Sequence, residues 1–207
     1  MRNTGPADDV TAAMTSIEEE TEKLAHGLEM MLHTARLDAF ALDVKAERVD
    51  LLPVLRETVH AHKKACIRFA VFPKIQATVE KMIVQTDAKW MRFVFNQLIA
   101  NAIKYSRSKP GNKTLWINVF EDEEGWHVVI KDEGVGIPQH DLPRVFDAFF
   151  TGENGRTFSE STGMGLYLAK QVCDRLGHRL NIQSKAGRGT AVRVTFERRR
   201  YMHDLSS

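Results

Sequence analysis

The chain has 207 residues, 43% hydrophobic and 27% charged, the composition of an ordinary soluble globular protein, and its length suits one full-size domain plus an attachment, roughly 1.4 domains. Lysine and arginine exceed aspartate and glutamate by 29 − 27 = 2, which leaves no electrostatic footprint for sequence-independent nucleic-acid binding. Cys66 and Cys173 lack C-x-x-C spacing, which argues against a zinc site or redox pair and suits a reducing, cytosolic setting, and no apolar run is long enough to span a membrane.

Residues 10–40 read as one helix. Val10, Met14, Ile17, Thr21, Leu24, Leu28, Met31 and Ala35 recur with alternating steps of 4 and 3, a heptad seam, while Glu18, Glu19, Glu20, Glu22 and Lys23 form a solvated face. Such a helix packs either on its own domain or in a coiled coil or bundle. A seam this long needs a partner, so a chain with only one reads as part of a longer bundle. A polar joint follows over 41–48. Asp50 is placed to cap a helix carrying Leu51, Leu52, Val54, Leu55 and Val59, with Pro53 tolerated in its first turn. Residues 67–72 and 76–84 read as short strands, and Asp87 caps a long helix running to about Tyr105. Segments 115–120 and 126–130 alternate around a turn-forming 122–125 and predict a hairpin. A helix over 165–176 closes at Gly177, followed by strands over 179–183 and 191–196 joined by a turn at 185–189. Helices and strands are mixed without strict alternation. The predicted class is therefore α/β: a two-layer sandwich of a mixed, mostly antiparallel sheet with helices on one face, spanning 45–197 and preceded by the long heptad helix. Residues 198–207 form a basic and polar tail that includes Arg198, Arg199 and Arg200.

Three stretches carry polar groups where an element should be apolar or a turn should be short. In FVFNQLIANAIKY at 93–105, apolar residues cover most of the helix, yet Gln97, Asn101 and Lys104 share one stripe. A carboxamide oxygen and an ammonium on adjacent turns suit Mg²⁺ and the phosphates it bridges, or else an internal hydrogen-bond network at the helix end. In DEGVGIP at 132–138, two glycines let a backbone lie close to a flat ligand and a carboxylate can accept from an exocyclic amine, although Asp and Gly after a strand also make ordinary turns. In STGMGL at 161–166, a helix N-terminus offers free N–H groups to a phosphate. That stretch is neither a phosphate loop nor a dinucleotide fingerprint: no lysine follows the glycines, and Leu168 stands at the third glycine position. The sixteen residues 147–162, with Gly152, Gly155, Ser159 and Ser161, exceed the usual connector length and predict a lid, rooted by Phe146, Phe149 and Phe150 as hinge or as ordinary core aromatics.

Taken in order, these stretches resemble the Bergerat-type ATPase superfamily and, within it, the bacterial sensor histidine kinases. NAIKYS at 101–106 is similar to the asparagine box, DEGVGIP to the first glycine box, DLPRVFDAFF at 141–150 to the phenylalanine box, and STGMGLYLAKQV at 161–172 to the second glycine box. The extended ESTGMGLYLAKQVCDRLGH at 160–178 resembles the subgroup that senses peptide antibiotics and cell-envelope stress, as in bacitracin-responsive kinases.

The resemblance implies ATP and Mg²⁺ as cofactors. It implies that Asn101 ligates the metal and that Lys104 and Tyr105 face the phosphates and ribose. Asp132 would bond the adenine amine, with Gly134, Gly136 and Ile137 lining the base pocket and Thr190, in GRGT at 187–190, near the adenine. Thr162, Gly163, Met164, Gly165 and Leu166 would lie under the phosphates, with Phe149 and Phe150 at the lid root beside the nucleotide; Arg156 is placed to swing onto the γ-phosphate by its position in the lid segment alone. Hydrolytic superfamily members place a glutamate four residues before the metal asparagine. Here that position is Gln97, which cannot act as a general base and so favours transfer to an acceptor over transfer to water.

Sensor kinases phosphorylate a histidine on the first helix of a dimeric hairpin, followed closely by an acidic or amide residue and a proline. None of the eight histidines fits; His26 precedes Gly27 and His33 precedes Thr34. The expectation is therefore an ATP-binding catalytic domain carrying the second hairpin helix over 10–40, with the acceptor and membrane segments outside this chain. The resemblance further implies a cytoplasmic placement in a membrane-anchored homodimer, a cognate response regulator as partner, and for the isolated chain a monomer or weak self-association. Rival readings are a stand-alone serine kinase of the anti-sigma-factor type and a non-catalytic, nucleotide-dependent interaction module.

Overall fold

A computed structural model describes residues 44–153 and 162–197, together with Met14, Ser16, Ile17, Glu20, Thr21, Leu24, Gly27, Leu28, Met31 and Ala35. The chain divides into two compact units, Met1–Leu42 and Asp43–Ser207. In the first, all ten described positions are helical, and the seam residues Met14, Ile17, Leu24, Leu28 and Met31 are exposed. The rest of the predicted 10–40 helix, and the tail 198–207, lie outside the described residues.

Among the described residues, the second unit is built on seven strands. β1 (Glu47–Asp50) pairs antiparallel with β3 (Ile83–Thr86) in a small sheet of their own. The main sheet runs β2-β4-β5-β7-β6, from β2 (Val71–Ala77), β4 (Lys113–Glu121), β5 (Gly125–Lys131), β6 (Arg179–Lys185) and β7 (Gly189–Glu197). β2 lies parallel to β4; every other neighbour in that sheet is antiparallel. The sheet is therefore mixed and mostly antiparallel, as the sequence predicts.

Alternation on the strands decides which face is covered. Ile117 pairs with Ile130 and Val119 with Val128, and these in turn register with Val192 and Val194, giving one continuous buried apolar face. The long helix α3 (Ala88–Ser106) packs on it, with Trp90, Val94, Phe95, Leu98 and Ile99 all at most 2% exposed. Truncating one of the large aromatics to Ala would cost about 3–5 kcal/mol. α1 (Leu51–Ala61) and α4 (Gly165–Arg175) flank α3, burying Leu51, Leu52 and Leu55 on one side and Leu168, Val172 and Cys173 on the other.

The helix starts follow their predicted caps. Asp50 Oδ1 accepts from Leu52 N at 3.2 Å, and Asp87 Oδ1 accepts from Lys89 N and Trp90 N at 2.9 and 3.1 Å. Gly177, after α4, has φ +73°, the left-handed geometry that ends a helix.

Three predicted elements are corrected. The apolar run 67–72 is not one strand: α2 (Lys63–Arg68) claims its start, Ala70 turns the chain at φ 50°, and β2 begins at Val71. A short apolar run fits either period, and here the run straddles a boundary. Segment 76–84 divides between the end of β2 and the start of β3. The polar joint over 41–48 ends in β1, whose four residues are too short and too polar to carry an alternation signal.

Candidate functional site

Residues at the end of the main sheet, along α3 and at the lid root enclose an open cleft of about 720 Å³. Its apolar walls are Leu98, Ala102, Ile130, Ile137, Val145, Leu166, Ile182 and Val192, and its polar groups are Asn101, Tyr105, Asp132, Asp141 and Thr190.

One wall descends from α3. On its polar stripe Gln97 is buried and needs polar partners, while Asn101 and Lys104 are half-buried. Asn101 lines the cleft. Gln97 is 9% exposed, and its Oε1 lies only 2.7 Å from where a Cβ on Gly165 would stand, with Asn101 Nδ2 3.9 Å from the same point. The head of α4 thus sits close against the amide stripe, and a Cβ on Gly165 would displace the end of the Gln97 side chain. α4 begins there with no side-chain hydrogen bond at its N-cap, Met164, so its first turn offers N–H groups and the positive end of its dipole. Lys104, half-buried, holds its ammonium 5.8 Å from the Tyr105 ring centroid.

The opposite end is built around Asp132, 5% exposed, at the close of β5. Its N–H donates to Thr190 O at 2.8 Å, and its Oδ1 accepts from Gly134 N at 2.8 Å and Thr190 N at 3.2 Å. No described hydrogen bond ends on Oδ2. Burial pushes the carboxyl up to about 6, against the amide bonds and the Lys109 charge, which pull it down. Gly134 lies against Tyr105 O, and a Cβ on Gly136, at φ +68°, would run into Lys185 O. The loop is clamped on both sides: Val135 N donates to Tyr105 O at 3.2 Å, Gly187 N to Val135 O at 2.6 Å, and Ile137 N to Ser184 Oγ at 2.8 Å.

At the lid root, Phe150, Thr151 and Gly152 line the cleft, and Asp141 Oδ2 accepts from Glu153 N at 3.0 Å. Arg144 sits 4.4 Å above the Phe150 ring. Phe149 stands outside the cleft, 75% exposed at φ 62°, and Gly163, at φ +70°, lies against its backbone, so the described ends of the 147–162 segment meet there. Arg156 lies outside the described residues.

Of the predicted site residues, Asn101, Tyr105, Asp132, Gly136, Ile137, Phe150, Leu166 and Thr190 line the cleft together. Gly134, Gly163 and Gly165 touch lining residues or their neighbours, Gly165 through Gln97 and Asn101, whereas Lys104, Thr162 and Met164 are not among the lining residues. Sequence reasoning missed Asp141 as a lining residue and Ser184 altogether. Asp141 had a signal, since it opens the phenylalanine box, whereas Ser184 is one polar residue in an ordinary strand pattern.

This donor set fits a nucleotide. A buried carboxylate with an oxygen on which no described hydrogen bond ends faces one end, and an uncapped helix start with adjacent amides the other.

The chain matches the histidine kinase-, DNA gyrase B-, and HSP90-like ATPase family over residues 86–200. It is 44% identical over 180 residues to the sensor histidine kinase YxdK of Bacillus subtilis (strain 168), covering 87% of this chain and 54% of YxdK. To the sensor protein BceS of the same organism it is 33% identical, covering 86% and 52%. The chain thus spans about half the length of these relatives. Among solved structures it superimposes on full-length ShkA, determined in complex with AMPPNP, with a TM-score of 0.71 at 17% identity, over 94% of this chain and 39% of that one. Fold, cleft and relatives agree, and the chain belongs to the histidine kinase-, DNA gyrase B-, and HSP90-like ATPase family, alongside bacterial sensor histidine kinases.

Proposed function

We propose that residues 45–197 are the ATP-binding catalytic domain of a sensor histidine kinase that passes the γ-phosphoryl to a histidine on a dimerisation hairpin outside this sequence. The observation that carries this reading is the polarity of the cleft. Asp132 presents an acceptor for an amine-bearing base at one end, and the start of α4 with Asn101 presents donors and an amide oxygen for a polyphosphate at the other.

ATP supplies the phosphoryl group; the chain supplies position and charge. Asp132 orients the base through its unbonded oxygen. The α4 N-terminus and Lys104 offset phosphate charge. Asn101, which lines the cleft with an amide oxygen, is the residue suited to hold Mg²⁺, an ion that commonly shares one or two protein oxygens with phosphate. Gln97, a neutral amide against Gly165, offers no base to activate water.

Met14, Ile17, Leu24, Leu28 and Met31 expose an apolar helical stripe, which supports reading residues 10–40 as the second hairpin helix. A homodimer through that hairpin, a response regulator as phosphoryl acceptor and a cytoplasmic position follow as parts of the same proposal. No described helix is long and apolar enough to cross a membrane. Calorimetry tests the binding half: ATP with Mg²⁺ should bind, and Asn101→Asp should weaken binding and remove most of its Mg²⁺ dependence.

A further inference from the structure

Ser184 lies on β6, registered opposite Thr190 on β7, on the sheet face that carries the cleft. Its hydroxyl makes three contacts: Ile137 N at 2.8 Å, Gly189 O at 2.8 Å and Thr190 Oγ1 at 2.9 Å. A serine hydroxyl has one proton and two lone pairs. The Ile137 N–H can only donate, so it takes one lone pair. The Gly189 carbonyl can only accept, so it takes the proton. For all three bonds to be made, Thr190 must donate its own proton to the remaining lone pair of Ser184. The Thr190 hydroxyl is then left with lone pairs alone to show to the cleft it lines.

We infer that Ser184 is a positioning residue for base recognition, acting by fixing the Thr190 hydroxyl as an acceptor. Beside it, Asp132 Oδ2 is also an acceptor, because both amide bonds to that carboxylate end on Oδ1. Ser184 thereby makes this end of the cleft a place for N–H groups, and the same hydroxyl ties Ile137 N, at the end of the glycine turn, to the β6–β7 corner. A free threonine rotor could present either a proton or a lone pair; here the choice is made before any ligand arrives.

The inference rests on the adenine reading of the cleft, and the test separates the two. Affinities for ATP and for purine riboside triphosphate, which lacks only the exocyclic amine, are measured by calorimetry in the parent chain, Ser184→Ala, Ser184→Thr, Thr190→Val and the double variant Ser184→Ala/Thr190→Val. No preference for ATP in the parent chain would overturn the adenine reading itself. With that preference present, Ser184→Ala should shrink the ATP-to-purine ratio by about three- to tenfold. Ser184→Thr should restore it, and Ser184→Ala should have little further effect on the ratio once Thr190→Val is in place. If Ser184→Ala weakens both ligands equally and leaves the ratio unchanged, Ser184 merely braces the loop and the positioning role is wrong. Circular dichroism and a melting curve for each variant exclude unfolding as the cause of a lost ratio.

Discussion

Asp132 and Thr190 bind each other twice across the end of the sheet: the Asp132 N–H donates to Thr190 O, and the Thr190 N–H donates to Asp132 Oδ1. The exchange places an ionisable carboxylate, 5% exposed, where one oxygen is engaged by the backbone and the other is available to a ligand. This arrangement costs stability and supplies recognition.

The cost sets the first prediction. Burial raises the Asp132 carboxyl from 3.8 to about 6, so above pH 6 the folded state holds a charge that it disfavours. The group's destabilisation is fully present above the folded value, relieved as pH falls through 6, and gone below the unfolded value; its size is on the order of 3 kcal/mol. Asp132→Asn should therefore raise the melting temperature of the ligand-free protein at pH 7.5, raise it much less at pH 4.5, and add nothing once the pH falls below the unfolded value. The same change puts an amide donor where an amine should bond, so ATP affinity should fall about tenfold or more. Calorimetry and thermal melts on one pair of proteins check both signs.

ATP binding by the unmodified chain should also weaken as pH drops below about 6, because the protonated carboxyl no longer accepts freely from an amine. In Asp132→Asn that pH step should vanish. A titration of Kd between pH 5 and 8, with nucleotide protonation subtracted, measures it.

The sequence made the second unit readable because its signals are local. Asp50 and Asp87 sit directly before the helices they cap, and the hairpin 113–131 alternates cleanly around its turn. The parallel pairing of β2 with β4 was not legible, since it joins strands separated by the whole of α3 and leaves no local periodicity. The helix-to-strand switch at Ala70 was hidden for a related reason: Ile67 through Phe72 is apolar on both sides of the break. At the site, glycines and charged groups in ordered motifs were readable. Ser184 was not, because its role lies in three contacts that only the folded sheet brings together.

Gly163 joins the lid edge to the start of α4 through a left-handed turn against the Phe149 backbone, where a methyl group meets atoms that cannot rotate away. Gly163→Ala should cost about 1–3 kcal/mol from strain, read as a lower denaturant midpoint. Its effect on ATP affinity should exceed that of Gly111→Ala, a left-handed glycine with nothing within 4 Å of its Cβ position.

Gln97 packs its amide on Gly165 beside Asn101, so a carboxylate of the same shape would stand at the phosphate end of the cleft. Gln97→Glu should raise ATP hydrolysis in the absence of any protein acceptor, by providing a base for water. Phosphate release with Mg²⁺-ATP, compared between Gln97→Glu and the unmodified chain, gives the answer; equal, background-level rates would show that Gln97 does not control the choice of nucleophile.

Transfer in trans bears most directly on the kinase reading. The chain is incubated with γ-labelled ATP, Mg²⁺ and a separately produced histidine hairpin from a related sensor kinase such as YxdK, beside the same reaction with Asn101→Asp and with the hairpin omitted. Acid-labile label should accumulate on the hairpin histidine, disappear with Asn101→Asp, and be absent from the chain alone. Label on His26 or His33 of the chain itself, or ATP binding without any transfer to hairpins that accept label from their own kinases, would contradict it.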